Sequence, residues 1–393
     1  SLVAQDNNLV LTFTPEYDGL IWDGGPGTWN VENTAHWHKA GESAGTSKFA
    51  QNSDVRFEAG ESTVTLGENI TAGTMTLEKD AVVKVNMNNH TLSGTLAGEG
   101  TYDLLAGRSL GDLQMSNDWT GAVRIKDRPD RGSDSIWMNN LSTERSWLEL
   151  SGFDGYDRSW ASTAGWGDLT ANIRLLDSET EPAWKFDANS STGKYTMNAT
   201  GKWEGSGEFR FTGGNWEGVK FTGDISGWEG KLTNAGSGQR VVTFAGSAGT
   251  VKAAIDNTST GTLNVIVGDG SNSFAATFTN TVNASSLSVT NNATATLKGQ
   301  TVVGAIGGPG TVIVENGGTL TLTSANPSFT GDLRVAAGGT LGFSGIDQLN
   351  AANITVESGA AFDLARISPA EACEITLATA TDTLTGPEDW DGI

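Results

Sequence analysis

A two-part signature recurs three times along this chain, and it restricts the fold more than any other feature. The first part is Gly-x-Gly-[Thr/Glu]-φ-x-φ, with φ apolar or aromatic. It reads Gly98-Glu99-Gly100-Thr101-Tyr102-Asp103-Leu104, then Gly205-Ser206-Gly207-Glu208-Phe209-Arg210-Phe211, then Gly308-Pro309-Gly310-Thr311-Val312-Ile313-Val314. The second part, [Trp/Phe]-[Thr/Glu]-Gly followed by an apolar alternation, begins at Trp119, Trp228 and Phe329. The two parts lie 21, 23 and 21 residues apart, and successive copies start 107 and 103 residues apart. Inside the last copy, Gly317-Gly318-Thr319-Leu320 returns 21 residues on as Gly338-Gly339-Thr340-Leu341. A spacing near 20 suits a solenoid, whose coils stack strand on strand and turn at glycines.

The residue types agree. Short alternating runs such as Val64-Thr65-Leu66, Leu263-Asn264-Val265-Ile266-Val267 and Leu320-Thr321-Leu322 are bounded by Gly, Asn or Asp, which predicts strands throughout. Helix is expected only as a short turn near Ser368-Pro369-Ala370-Glu371. The expected fold is therefore all-β: a parallel, β-helix-like β-solenoid. It carries an N-terminal Trp-rich cap and an embellished middle section open to a sandwich-like arrangement. Three β-sandwich domains of about 100 residues each are the competing architecture. Three zones follow: a Trp/Gly-rich cap over 1–60, a β-rich region with Trp-rich insertions over 61–240, and regular solenoid repeats over 241–393. The middle zone holds nine of the 13 Trp between 119 and 228, and 15 of the 24 bases lie in 101–240.

Charge and composition exclude several classes. Lys+Arg is 24 against 46 Asp+Glu, so the net charge is 24 − 46 = −22, which repels nucleic acid and anionic lipid. No apolar run approaches ~18 residues, so no helix here is expected to span or insert into a membrane. The 52 glycines have no Gly-X-Y period and Pro is only 8, which excludes collagen. With 13 Trp and 14 Phe the chain has the apolar area for a core, which excludes wholesale disorder. Cys373 stands alone and permits no internal disulfide. Beginning at Ser1 without a charged and apolar leader, the chain reads as mature or trimmed.

Two segments carry a resemblance. Trp22-Asp23-Gly24-Gly25-Pro26-Gly27-Thr28-Trp29 with Asn33-Thr34-Ala35-His36-Trp37 resembles the opening of bacterial autotransporter-type passenger proteins, departing at His36, where that family has Asn. Gly317 through Gly331 is similar to their passenger-associated repeat. The Asn/Thr/Trp-rich style of Thr222-Gly223-Asp224-Ile225-Ser226-Gly227-Trp228 is similar to secreted proteins of mucus-dwelling, Akkermansia-like Verrucomicrobia, among them an aspartic-type peptidase that degrades mucin. The resemblance implies a protein secreted from a Gram-negative bacterium or held at its outer membrane or cell surface. It implies, more weakly, that the protein binds or acts on host mucin-type glycoproteins.

The candidate chemistry is sparse. Paired Asp-[Thr/Ser]-Gly turns, the usual aspartic-peptidase signature, are absent. Asp23 comes nearest, in a Gly-rich turn flanked by Trp22 and Trp29, a setting that suits a catalytic acid and equally suits a turn cap. As an enzyme the chain would be an aspartic-type endopeptidase with Asp23 as catalytic acid. His36-x-His38 places two imidazoles on one side of a strand, yet the remaining His90 has no ligand spacing, so no metal is assigned. Gly268-Asp269-Gly270-Ser271-Asn272 and Asp127-Arg128-Pro129-Asp130 are oxygen-rich loops short of a calcium pattern. The Gly-rich loops lack a phosphate-binding lysine, and no cofactor is expected. Trp147, Trp160, Trp166 and Trp184 lie among Gly, Asp, Ser and Arg, and aromatic faces on polar loops stack on sugars. They are the expected ligand-binding residues, against the alternative that they cover the core. Trp119 and Trp228 belong to the core, since Phe329 takes their place in the repeat. An inert stalk is the remaining functional class.

Overall fold

The computed structural model describes residues 2–5, 8–11, 18–32, 35–106, 112–126, 146–151, 168–178, 182–186, 195–213, 217–324, 328–343 and 353–363. Among them there is no helix, and the short one expected near Ser368 lies outside them. The chain divides into two compact units, Ser1–Arg124 and Ile125–Ile393.

In the first unit, successive strands alternate between two parallel sheets. One runs Asp112–Met115, Leu92–Gly98, Ile70–Leu77, Val55–Phe57 and Leu20–Trp22, and is closed by Trp37–Lys39, which pairs antiparallel with Leu20–Trp22. The other runs Thr101–Ala106, Ala81–Asn86, Gly60–Leu66 and Gly25–Trp29. Each coil thus gives one strand to each sheet. The cap is an aromatic plug in which Trp22, Trp29, Trp37, Phe49 and Phe57 all lie buried, with ring centroids 5.0–6.1 Å apart. Trp37 meets Trp22 and Trp29 edge to face, and Trp29 meets Phe49 in the same way. Leu2–Gln5 and Asn8–Leu11 form a separate antiparallel hairpin.

The second unit is also parallel. Trp147–Ser151, Asn172–Leu175, Trp203–Gly205 and Gly227–Trp228 stack in one sheet. Two further columns, one through Glu208–Phe211 and Ala254–Asn257, the other through Glu217–Phe221 and Thr262–Val267, both end on the long strand Val282–Val289. That strand continues through Gln300–Gly307, Thr319–Leu322, Thr340–Phe343 and Ala361–Asp363, opposite a sheet running from Phe274–Phe278 to Asn353–Val356. The described part of the middle zone therefore belongs to the solenoid: its strands pair in parallel, whereas a sandwich of hairpins needs antiparallel neighbours.

The recurring signature is explained by coil contact. Gly98, Gly205 and Gly308 have φ of +97°, +96° and +88°, and a β-carbon on each would overlap the carbonyl of Leu77, Leu175 and Val289 one coil earlier. Gly100, Gly207 and Gly310 donate their N–H groups to those same three carbonyls at 3.1, 2.9 and 3.0 Å. On the next coil Gly121, Gly230 and Gly331 press on the carbonyls of Gly100, Gly207 and Gly310, while Trp119, Trp228 and Phe329 are fully buried. The 21–23 residue offset is thus the length of one coil. Gly317, Gly338 and Gly359 form a third such series. Each has φ near +80°, and the first two donate N–H to the carbonyl of the next, at 2.9 and 2.8 Å.

Two long strands carry a slip in their alternation. In Ile70–Leu77 and Val282–Val289, burial alternates except for one step at Gly73/Thr74 and Ser285/Ser286. On the strand next to the second slip, a β-carbon at Gly304 would overlap the Ser285 carbonyl. Inward columns such as Val242, Val265 and Leu287 are fully buried, each worth about 1.5–3 kcal/mol of burial. The buried corner residue Asn234 is satisfied by a ladder: its amide donates to Asn257 Oδ1 at 2.9 Å, and Asn257 donates to the Gly261 carbonyl at 2.9 Å.

Candidate functional site

Two polar groupings stand out, one in each unit. In the cap, the antiparallel pairing of Ile21 with His38 and Trp22 with Trp37 brings Asp23 beside His38. Asp23 Oδ1 lies 2.5 Å from His38 Nδ1, and Oδ2 accepts the Gly45 N–H at 2.8 Å. The Asp23 N–H donates to the His36 carbonyl at 3.0 Å. The carboxylate is 11% exposed and the imidazole 21%. His36 stacks on Trp22 at 4.8 Å and covers Gly27, where a β-carbon would lie 2.5 Å from the His36 ring. The loop that brings in Gly45 is itself tied down by Glu42, which accepts the Lys39 N–H at 3.1 Å and the Ser47 hydroxyl at 2.7 Å.

Asp23 is therefore a clasp between a strand and a loop. Its hydrogen-bonded partners are an imidazole and a backbone amide; among the described residues no second carboxylate is bonded to it. An aspartic-type pair shares one proton between two carboxyls, and that arrangement is not formed around Asp23 by the residues described. No group of three His, Cys, Asp or Glu gathers among the described residues. Asp269, in one of the oxygen-rich loops, caps its own turn: Oδ1 accepts the Ser271 and Asn272 N–H groups at 2.9 and 3.0 Å. Asp127 and Asp130 lie outside the described residues.

Of the four tryptophans expected to bind a ligand, the structure separates two. Trp184 is corrected to the core. It is 2% exposed, stacked on Trp203 at 5.6 Å with 9° between planes, and edge-on to Phe209 at 5.2 Å. A ring this buried presents no face to a sugar. Trp160 and Trp166 lie outside the described residues. Trp147 is half-buried, on the outer face of the strand Trp147–Ser151, whose Leu148 and Leu150 point inward.

Around Trp147 the register builds a charged line. Glu149, Arg174 and Glu204 are partners across three successive parallel strands. Arg174 Nε donates to Glu204 Oε1 at 2.5 Å, Nη1 donates to Glu149, and the guanidinium carbon lies 4.5 Å from the centre of the Trp147 ring. Burial opposes the charge on Arg174, but its bonds to Glu204 and Glu149 outweigh that and raise its pKa above the ordinary value. An indole, a guanidinium and two carboxylates thus share one sheet face, with the guanidinium over the indole, Glu149 buried and Glu204 partly exposed. Sequence reasoning singled out Trp147 and not the three charged residues around it. Compared with known proteins, the chain matches no family model, no curated protein and no solved structure.

Proposed function

We propose that this chain is an exported bacterial β-solenoid scaffold, secreted or displayed at the surface of a Gram-negative cell, that binds mucin-type host glycoproteins through the outer face around Trp147. One observation carries this reading. Trp147 is a half-buried ring on a parallel sheet, with the Arg174 guanidinium over it and Glu149 and Glu204 in register with Arg174. Sugars offer an apolar C–H face and a rim of hydroxyls, which such a set of groups meets in kind. Strands hold these side chains more firmly than loops do. The strongly acidic chain and its regular coils fit a scaffold outside the cell, and the autotransporter-like segments point the same way.

Binding is favoured over cleavage because the acid expected to catalyse, Asp23, is engaged by His38 and Gly45. The deciding experiment measures binding of the full chain to immobilised mucin. Saturable binding lost in Trp147→Ala, with the unfolding temperature kept, supports the reading. Absence of saturable binding leaves an inert stalk, and release of mucin fragments abolished by Asp23→Asn restores the endopeptidase.

A further inference from the structure

Asn316-Gly317 is the single Asn-Gly step in the sequence. Such a step is open to self-modification, because no side chain shields the glycine nitrogen and the glycine backbone turns freely. That nitrogen attacks Asn316 Cγ and forms a C–N bond. The Cγ–Nδ2 bond breaks, and the departing nitrogen takes the backbone proton and leaves as ammonia. Water then opens the cyclic imide at one of its two carbonyls, giving aspartate or isoaspartate.

The fold holds both reacting groups. Asn316 is exposed in a turn that the Gly318 N–H closes on the Glu315 carbonyl at 2.8 Å. Gly317, at φ +79°, donates its N–H to the Gly338 carbonyl one coil on, at 2.9 Å. The Asn316 side chain lies over Gly338, where a β-carbon would overlap its Oδ1 and Cγ. For the ring to close, the Gly317 N–H must leave the Gly338 carbonyl and the carboxamide must swing off Gly338. Solvent exposure of Asn316 is not enough: two contacts between neighbouring coils have to open first.

We infer that Asn316 is a modification site of this chain, a deamidating asparagine held unreacted by the contact between its coil and the next. The step runs one way. An isoaspartate at 316 puts its β-carbon into the main chain and lengthens the turn, and an aspartate adds a charge beside Glu315. Either product is a covalent record that these coils have been apart, whatever the Trp147 face binds.

The test follows the Asn316 peptide by mass spectrometry while the full chain stands in mildly alkaline buffer, folded or in denaturant. Deamidation there is expected to run at least about ten-fold slower in the folded chain, since the reactive form is reached only through local opening. Gly338→Ala displaces the Asn316 side chain and should quicken the reaction several-fold while the strand Thr311–Val314 keeps its amide protection. In the unaltered chain, urea below the unfolding transition should speed deamidation and exchange of the Gly317 N–H together, a reading that does not depend on the variant folding. Equal rates in the folded and denatured chain overturn the protection by coil contact. So does a folded Gly338→Ala chain that reacts at the parental rate, or deamidation that urea speeds without exchange at Gly317. An Asn316 that stays unmodified in denaturant overturns the site itself.

Discussion

Gly331 sits with its α-carbon against the carbonyl of Gly310 one coil earlier, and the next residue, Asp332, donates its N–H to that same oxygen at 3.2 Å. The side chain that glycine lacks is what lets the two coils touch. Gly331→Ala must push the coils apart, at a cost of about 1–3 kcal/mol. Gly317→Ala meets open space and is strained only by its φ of +79°, for about 1–2 kcal/mol. Thermal unfolding should show the larger loss in Gly331→Ala together with weakened amide protection in the adjoining strands, which Gly317→Ala should keep. Equal protection in the two variants would refute the close-contact account.

Trp184 and Trp147 should separate cleanly. Trp184→Ala removes a buried ring stacked on Trp203 and edge-on to Phe209, and is expected to cost about 3–5 kcal/mol of stability. Trp147→Ala should leave the unfolding temperature within a few degrees of the parent and abolish glycoprotein binding. A Trp184→Ala protein with parental stability would return that residue to the surface.

The Asp23–His38 clasp predicts a local effect. His38→Ala removes the partner of Asp23 Oδ1 and is expected to cost about 1–3 kcal/mol. Asp23→Asn weakens the acceptor of the Gly45 N–H, so hydrogen exchange at Gly45 should quicken in that variant while exchange in the strand Ile70–Leu77 stays slow. Unaltered exchange at Gly45 would show that the loop is held by other contacts.

Acid should loosen the second unit through its turn-capping carboxylates. Backbone N–H groups of Asn272 and Ser271 hold Asp269 down from 3.8 to about 2. The Ser226 hydroxyl and N–H lower Asp224 against a smaller opposing effect of burial. A carboxyl whose pKa is depressed by folding contributes fully above its unfolded value and loses that contribution as pH falls through its folded value. The unfolding temperature should therefore drop between about pH 4 and pH 2, and the drop should be shallower in Asp269→Asn. An identical pH profile in the variant would remove Asp269 from the account.

Much of the fold was legible because glycine is irreplaceable where backbone meets backbone. Gly98, Gly205 and Gly308 mark the same coil contact and so kept the same letter. The third member of the Gly317 series is hidden in the sequence because Gly359 is followed by Ala360-Ala361, where Gly-Thr follows Gly317 and Gly338. Trp184 looked like a surface ring because Asp, Ser, Asn and Gly surround it. Its strand pairs in parallel register with Glu208–Phe211, where Phe209 and Phe211 are fully buried, and nothing in the local sequence announces that register. Glu149, Arg174 and Glu204 could not be associated in advance: 25 and 30 residues separate the partners, and nothing local encodes that register. His38 was noticed as a metal candidate, whereas only the antiparallel return of its strand shows that it belongs to Asp23.

Paired residues stand 17 positions apart at Thr294 and Thr311 but 30 apart at Ile173 and Trp203, and both pairs stay in parallel register. The corners therefore work like the margins of a bound book, where text can be added or cut without disturbing the stitching. Evolution, or a protein engineer, can graft a recognition loop at one corner and expect its neighbours to keep their alignment. Changes of length in such a chain should gather at the bends, while the strands hold their register.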